Sequence, residues 1–387
     1  MLLAETHSNK AEALVPQPRR AVLEMPEYHP PLAGREALRL DFNENTLAAS
    51  PRVLARLKAV TAEGLTKYPE RDGVERTVAH HFSLAPEQVL LTNGVDEAIH
   101  LVCAAFLESD DEALIATPGF FMYDVSASMM TSRLRKVQAD ASLAFPYQRF
   151  LAAITPATKL IMVASPNNPT GAVVSREELL AICTAAPHAV VLVDEAYYHF
   201  HGESLIQDVG RVPNLLVART FSKAYGLAFL RIGMLAGPAE LLRYVRKVSS
   251  PYNVNGVALD VLPVALADDA YVQWYAEQVR VGRERMTSGL RALGVEFFPS
   301  AANFVLMKIG PRHAELVSAM RTRGVLLRDR SSDPGCDGFV RITIGVAEHV
   351  ERGLAALRDS LAEIDWTPHQ ATAASQAQHS DAEREFE

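Results

Sequence analysis

Residues 160–194 read LIMVASPNNPTGAVVSREELLAICTAAPHAVVLVD. The apolar runs at 160–164 and 189–193 predict two strands that are buried on both faces. Between them, Arg176–Ala185 has the pattern of a helix. A strand, a helix and a second strand in this order are typical of a mainly parallel sheet with helices on both faces. The segment therefore predicts an α/β fold.

The same alternation extends in both directions along the chain. Apolar runs at 112–117 and 215–218 predict two further buried strands. An apolar stripe at helical spacing lies upstream and is formed by Val95, Ala98, Ile99, Val102 and Phe106. Ligands of such sheets bind beyond the carboxyl ends of the strands, so functional residues are expected directly after these runs.

The composition is ordinary for a soluble globular protein, with 49% apolar and 22% charged residues in a chain of 387. A net charge of −8 argues against nucleic acid as the main partner. The absence of any run of about 18 apolar residues argues against a membrane helix. Cys103, Cys183 and Cys336 have unrelated spacings, which favours a reducing cytoplasm. We expect residues 1–25 to be an extension without a signal peptide and 367–387 to be a disordered tail.

Lys223 lies in the segment Arg219-Thr220-Phe221-Ser222-Lys223, directly after the strand predicted at 215–218. Its amine can form a Schiff base with an aldehyde, while Thr220, Ser222 and Arg231 can bind a phosphate close to it. These residue types together suit pyridoxal phosphate (PLP). A lysine between hydroxyl residues is more often a surface residue, so the interpretation depends on motifs elsewhere in the chain.

Two of these motifs follow other predicted strands. Asp194 ends the strand at 189–193, and its carboxylate can keep the pyridinium nitrogen of PLP protonated. Tyr197, three residues later, can hydrogen-bond the phenolic oxygen of the cofactor. Asn168 lies in the Pro- and Gly-containing turn at 165–171 and can present its amide to the same oxygen. Taken alone, an aspartate at this position is more often a helix cap or a member of an ion pair, and the second motif fits a plain turn.

Two further motifs suit the binding of anions. Gly94 precedes the predicted helix, so the glycine and the first amide groups form a helix N-terminus that can bind the phosphate. Residues 338–345 alternate with period two and place Arg341 on the face opposite to the apolar residues. A strand arginine is commonly an edge residue or a member of an ion pair. Beside a PLP site, it is suited to bind the α-carboxylate of an amino acid.

The ordered set of motifs resembles the signature of fold-type I aminotransferases of the class I/II group. The matching motifs are Asn168-Pro169-Thr170-Gly171, Asp194-x-Ala196-Tyr197, Ser222-Lys223 with Arg231, and Arg341. Within that superfamily the chain is most similar to histidinol-phosphate aminotransferases, through the segments 40–45, 67–70, 94–99 and 324–329. The resemblance covers roughly residues 28–365 and implies a large PLP-binding domain, 49–287, with a mainly parallel seven-stranded sheet. It also implies a smaller α+β domain, formed by 26–48 and 288–366.

The resemblance implies further site residues. Lys223 is expected to move the proton at the substrate Cα, and Val95 and Asp96 to join Gly94 around the phosphate. Phe120 is expected to stack on the cofactor ring, where the family commonly has tyrosine. Tyr68 is expected to reach the cofactor phosphate of a partner subunit, so the active unit should be a homodimer. On the substrate side, the resemblance implies Arg328 as the ligand of a distal anion, together with Asn43 and Tyr28.

The function that follows is PLP-dependent transfer of an amino group from histidinol phosphate to 2-oxoglutarate, in histidine biosynthesis, by a ping-pong Schiff-base mechanism. The alternatives are an aromatic or other amino-acid aminotransferase, an enzyme like threonine-phosphate decarboxylase, and a regulator that uses the same fold. Regulators of this kind carry a DNA-binding domain in front, whereas only about 40 residues precede Asp41 here, without a basic stripe. No metal site is expected, because the histidine pairs lack ligand spacing.

Overall fold

The structure is a computed structural model that describes residues 16, 18–23, 25, 27 and 36–368. The predicted substrate residue Tyr28 lies outside the described residues. The same holds for most of the predicted extension at 1–25 and of the predicted tail at 367–387. None of the helices within the described ranges combines the length and the apolar character that crossing a bilayer requires.

A seven-stranded sheet, called the large sheet below, forms the centre of the fold. Only the strand Gly233–Ala236 runs antiparallel to its neighbours, which confirms the predicted α/β fold with a mainly parallel sheet. In spatial order the strands are Val89–Thr92, Gly233–Ala236, Leu215–Thr220, Val190–Asp194, Thr158–Ala164, Glu112–Thr117 and Arg133–Gln138.

The central strands contain continuous apolar runs because both faces of the sheet are covered. In the strand Val190–Asp194, Val191 and Val193 pack into one core, whereas Val190 and Leu192 pack into a second core on the opposite face. The amphipathic helix predicted from the apolar stripe that begins at Val95 is present as Gly94–Phe106. The helix predicted at Arg176–Ala185 is also present. Each of the four strands predicted from apolar runs is present, with shifts of at most two residues at its ends.

Helices lie on both sides of the large sheet and around the second part of the fold. The α-helices are Arg20–Leu23, Pro51–Lys58, Ala62–Leu65, Asp72–His81, Gly94–Phe106, Phe121–Ser128, Tyr147–Ala152, Arg176–Ala185, Tyr198–His201, Ala239–Val248, Gly256–Leu266, Asp269–Ala292, His313–Thr322 and Ala347–Glu363. Short 3-10 helices are Pro86–Gln88, Ile206–Asp208, Ala228–Leu230 and Gly310–Arg312.

A four-stranded antiparallel sheet, called the small sheet below, is built from the C-terminal part of the chain. Its strands in spatial order are Arg328–Asp329, Phe339–Thr343, Phe304–Lys308 and Glu296–Phe297. Beside it, Leu38–Arg39 pairs in parallel with Val325–Leu326, so an N-terminal segment of the chain joins a C-terminal segment here. The predicted domain boundaries, with 26–48 and 288–366 in one domain and 49–287 in the other, stay a prediction.

Candidate active site

The carboxyl ends of the parallel strands open onto a cavity of about 450 Å³, within the usual size range of small-molecule sites. Five strands of the large sheet supply residues to its lining: Asp194 is the last residue of its strand, and Asp96, Phe120, Asn168 and Lys223 lie in segments that follow theirs. The small sheet supplies arginine side chains to the same lining. The cavity therefore lies between the two sheets, at the position expected for ligands of a parallel sheet.

Nearly all the predicted site residues come together at this cavity. Its lining includes Asn43, Val95, Asp96, Phe120, Asn168, Asp194, Tyr197, Thr220, Ser222, Lys223, Arg231, Arg328 and Arg341. Gly94 lies directly behind Arg231. Tyr68 does not line the cavity; its side chain is 80% exposed and stacks on Tyr252, with ring centroids 4.4 Å apart. Its predicted role in a partner subunit stays a prediction.

Lys223 lies three residues after the strand Leu215–Thr220, with its side chain inside the cavity. Its Nζ donates a hydrogen bond of 2.9 Å to the backbone carbonyl of Phe42. Burial, together with the positive charge of Arg341, lowers the pKa of the amine to about 8. A larger fraction of the amine is therefore neutral near physiological pH than for an ordinary lysine, and the neutral form is the nucleophile.

Asp194 is a buried carboxylate at the end of its strand. It accepts hydrogen bonds from the hydroxyl of Tyr123 (2.8 Å) and from the backbone N–H of Ala196 (2.9 Å). Burial raises the pKa of Asp194 to about 6, although the two hydrogen bonds act in the opposite direction and lower the pKa. Neither partner is a cation, so the arrangement suits a ligand that brings a positive charge.

Tyr123 is a site residue that sequence reasoning missed. It lies in the first turn of the helix Phe121–Ser128, which begins shortly after the strand Glu112–Thr117. Burial and the charge of Asp194 raise its pKa well above the ordinary value, so the hydroxyl stays protonated and donates. The signal that could have indicated Tyr123 is its position: it is an aromatic residue one helical turn after Phe120, beyond the end of a strand.

Tyr197 is held by the N-terminal segment of the chain. Asn43 Nδ2 donates to the Tyr197 hydroxyl at 3.0 Å, and the backbone N–H of Asn43 donates to Thr343 Oγ1, also at 3.0 Å. Burial raises the pKa of the phenol, while the charge of Arg341 lowers it. The hydroxyl proton is therefore still present to be donated to an acceptor in the cavity.

The groups predicted to bind a phosphate form a cradle at one end of the cavity. Gly94 has φ +76°, and a Cβ at this position would approach Arg231 Nη2 to 2.7 Å, so only glycine leaves room for the guanidinium. Arg231 also pairs with Asp96 at 3.0 Å, which leaves most of its five N–H donors for a ligand. The buried Oγ of Ser222 has no hydrogen-bond partner among the described residues.

Arg341 occupies the substrate side of the cavity, on the strand Phe339–Thr343. Its Nη1 donates to Asn168 Oδ1, and its Nη2 donates to the backbone carbonyl of Asp41 at 2.7 Å. Burial, and the positive charge of Arg330 nearby, lower its pKa to about 9. The buried Nε has no partner within the described ranges. An anion would satisfy this donor and offset the burial of the charge.

A buried ion pair behind the site was also missed by sequence reasoning. Arg219 and Glu195 are 3% and 2% exposed, and their charged atoms lie 2.9 Å apart. The guanidinium of Arg219 also stacks on the Tyr198 ring, 3.5 Å from its centroid. Because Glu195 follows Asp194 and Arg219 precedes Thr220, the pair ties together the ends of two strands that carry site residues.

The residues of the cavity fit PLP. For the phosphate, the cradle at Gly94 contains Arg231 and the unpartnered hydroxyl of Ser222. For the ring nitrogen, the buried carboxylate of Asp194 is present, and its hydrogen-bond partners are not cations. A lysine with a lowered pKa is present for the aldehyde. In contrast, no group of three or more histidine, cysteine, aspartate or glutamate residues suited to a metal ion occurs in the described part of the chain.

A mainly parallel α/β fold with these groups at its strand ends defines a PLP-dependent enzyme of fold type I. The chain belongs to the aminotransferase class I and II family, whose sequence profile matches residues 35–357. The resemblance inferred from the motifs is thereby confirmed, together with the cofactor and the enzyme class.

Relatives and solved structures agree with this assignment. The chain is 34% identical over 341 residues to the histidinol-phosphate aminotransferase of Halalkalibacterium halodurans, covering 86% of this chain and 91% of the relative. It is 31% identical over 338 residues to histidinol-phosphate aminotransferase 2 of Methylococcus capsulatus, with coverages of 84% and 90%. The crystal structure of histidinol-phosphate aminotransferase from Sinorhizobium meliloti in complex with pyridoxal-5'-phosphate superposes with a TM-score of 0.81 at 22% identity, covering 91% of this chain and 99% of that one. At that identity, the superposition shows the shared fold.

Proposed function

We propose that the protein transfers the amino group of histidinol phosphate to 2-oxoglutarate, as a step of histidine biosynthesis in the cytoplasm. The observation that carries the proposal is the direct pairing of Arg328 with Arg341 across the small sheet, at the cavity that contains Lys223. Both substrates have an anionic end that needs such a cation, and 2-oxoglutarate has two. The relatives with that name, at 31% and 34% identity, support the same donor.

The residues that would hold PLP follow from their positions in the cavity. Gly94, Val95, Asp96, Thr220, Ser222 and Arg231 would hold the phosphate, and Phe120 would cover one face of the ring. Asp194 would pair with the ring nitrogen, while Tyr197 and Asn168 would donate to the ring oxygen. When bound, PLP supplies an aldehyde that takes the amino group and a ring that accepts electrons from the substrate Cα.

The chain's own groups then guide the proton transfer. With the cofactor bound, the amine of Lys223 would take the proton from the substrate Cα, and its lowered pKa suits this role. Arg341 holds the substrate's α-carboxylate or phosphate group at a fixed place beside Lys223 and Tyr197. Because Arg341 holds this anionic group in one place, the orientation of the bonds at Cα is fixed. This orientation favours transamination over decarboxylation.

A donor screen with 2-oxoglutarate as the acceptor tests the proposed substrate. We expect the wild-type protein to have a higher kcat/KM for histidinol phosphate than for phenylalanine, tyrosine or threonine phosphate, because only the first combines an imidazole with a phosphate. The measurement is glutamate formed against time. A higher kcat/KM for phenylalanine or tyrosine would assign the protein to aromatic transamination, and release of CO₂ from threonine phosphate would assign it to decarboxylation.

Replacing Arg328 by alanine is expected to raise KM for histidinol phosphate by about 10- to 100-fold, which corresponds to the loss of a charge-assisted hydrogen bond. The neutral donor phenylalanine, which has no distal anion, should be affected much less. Arg321→Ala is the matched control, because it removes an exposed guanidinium that does not line the cavity. Equal losses for the neutral and the anionic donor would contradict the assigned role of Arg328.

We also propose that the active unit is a homodimer in which Tyr68 reaches the phosphate of the partner's cofactor. Apolar side chains that a monomer would leave in water support an interface: Leu65 is 69% exposed, Tyr68 80% and Phe229 94%. Phe229 lies between Ala228 and Arg231, which both line the cavity, so such an interface would pass close to the site.

Mixing two inactive variants tests this arrangement. After random subunit exchange, Tyr68→Ala and Lys223→Ala together should recover up to about a quarter of the wild-type activity, because half of the dimers are mixed and one of their two sites is intact. The measurement is activity against the mixing ratio, compared with each variant alone. If both residues served the same subunit, the mixture would stay as inactive as its parents.

A further inference from the structure

Three arginine side chains lie on one face of the small sheet, where they line the cavity. Arg328 stands directly opposite Arg341 in the antiparallel pairing. Arg330 directly follows the strand Arg328–Asp329, and its backbone N–H continues the ladder by donating to the carbonyl of Phe339 at 2.9 Å. Side chains alternate between faces, so Arg328 and Arg330 are directed to the same side. Asp329 between them bonds to groups away from the cavity.

The three positive charges lie close enough to affect one another. Like charges directly opposite each other on one face of a sheet repel, and the charges of Arg330 and Arg328 contribute to the lowered pKa of Arg341. Asp333 forms an ion pair with Arg330 through Nη2. The buried Nε atoms of Arg330 and Arg341 have no hydrogen-bond partner among the described groups. Arg330 and Arg341 thus each keep a donor without a partner, in side chains that line the cavity together with Arg328.

We propose that Arg330 determines substrate specificity by binding the phosphate group of the donor, and that Asp333 is its counter-ion when the cavity holds no phosphate. This inference rests on the proposed function, because it assumes a phosphorylated donor, and it goes further by assigning a residue and its partner. A phosphate dianion has three acceptor oxygens and about twice the charge of a carboxylate. A third guanidinium therefore favours the phosphate over the carboxylate of a competing amino acid.

The position of Asp333 fits a counter-ion that can be replaced. Its backbone N–H donates to the carbonyl of Arg330 at 2.9 Å, so both residues belong to one tight turn. Arg330 lines the cavity, but Asp333 does not. Arg330 thus contacts both the cavity and the carboxylate of Asp333. The competing explanation is structural, with Arg330 present only to neutralise Asp333.

Three variants of the PLP-loaded enzyme separate the two explanations. Arg330→Gln removes the cation, Asp333→Asn removes the anion, and the double variant removes both, so that neither charge is left without its partner. If Arg330 binds the phosphate, both Arg330→Gln and the double variant raise KM for histidinol phosphate about ten-fold more than KM for phenylalanine. Asp333→Asn alone should lower KM for histidinol phosphate, because it frees the guanidinium.

The structural explanation predicts a different pattern. Arg330→Gln would then lower kcat for all donors alike, and it would also lower the stability of the protein. The double variant would have wild-type KM values. That recovery would overturn the proposal, and so would equal changes in KM for the phosphorylated and the neutral donor.

Inorganic phosphate provides a probe that does not depend on the identity of the donor. We expect it to compete with the amino donor in the wild-type enzyme, with glutamate as the donor, and to have an inhibition constant about ten-fold higher in Arg330→Gln. If wild-type enzyme fails to use histidinol phosphate but phosphate inhibition still depends on Arg330, the proposed donor is wrong and the role of Arg330 stands. If phosphate inhibits both proteins equally, or neither, the role of Arg330 is overturned whatever the donor is.

Discussion

Replacement of Lys223 by alanine is expected to lower kcat by at least about 10⁴-fold, the upper end of the effect of removing a positioned acid–base group. The amine is the predicted attachment point of PLP and the group that moves the proton at the substrate Cα, so two roles are lost together. The variant should also lose the visible absorption band that wild-type protein acquires with PLP. Borohydride reduction followed by peptide mass spectrometry should locate the cofactor on Lys223 in wild-type protein and nowhere in the variant.

The pH dependence of PLP uptake provides a control on the environment of this amine. Since its pKa is lowered to about 8, the rate of covalent uptake by the apoenzyme should rise as the pH increases toward 8 and level off above it. An ordinary lysine would continue to gain reactivity up to its usual pKa of about 10.4. Wild-type protein that stays colourless with PLP, or a label on another lysine, would refute the assignment.

Replacement of Asp194 by asparagine is expected to have opposite effects on activity and on stability. In the enzyme loaded with PLP, kcat should fall by about 10²- to 10³-fold, because a charge that stabilises the reacting ring is lost. In the apoenzyme at neutral pH, the free energy of unfolding should rise by up to about 3 kcal/mol, the equivalent of a pKa raised by about two units. Steady-state kinetics and urea unfolding of the apoenzyme measure the two effects.

The sign of the stability change follows from the pKa of about 6. A carboxyl group whose pKa is higher in the folded than in the unfolded state stabilises the fold fully below its ordinary pKa, and this stabilisation is lost as the pH rises through about 6. The difference in the free energy of unfolding between wild type and Asp194→Asn should therefore develop between about pH 4 and 6. Asp194→Ala is the control for hydrogen bonding, since it leaves Tyr123 and Ala196 without an acceptor and should destabilise the apoenzyme. Equal unfolding free energies of wild type and Asp194→Asn at every pH would contradict the assigned environment.

The residues at the ends of the central strands could be predicted from the sequence because their signal is local. A run such as 189–193 predicts a buried strand, and the polar residue that ends it must then lie at the ligand-binding edge of a parallel sheet. Asp194 and Lys223 were predicted in this way, and the structure brings both to one cavity. Their residue types then indicated the cofactor, which the family assignment confirms.

Contacts between distant parts of the chain could not be predicted in the same way. The hydrogen bond from Tyr123 to Asp194 joins residues 71 positions apart, and nothing near either residue specifies the other. The acceptor for Lys223 is the backbone carbonyl of Phe42, and a carbonyl group carries no residue-type signal. The pairing of Arg328 with Arg341 depends on the register of two short strands, which the residue types alone do not determine.

The contact between Arg341 and the carbonyl of Asp41 spans 300 positions of the chain, and it has a consequence for synthesis on the ribosome. The segment that carries Asp41, Phe42 and Asn43 is made early, but its partners in the strand Phe339–Thr343 are made late. At about 5–20 residues per second, the interval is roughly 15–60 s. The large sheet can form during that time, whereas the wall around Lys223 is still open. The surroundings of Lys223 that would receive PLP are therefore completed only at the end of synthesis, and a chain released early would display the lysine without its pocket.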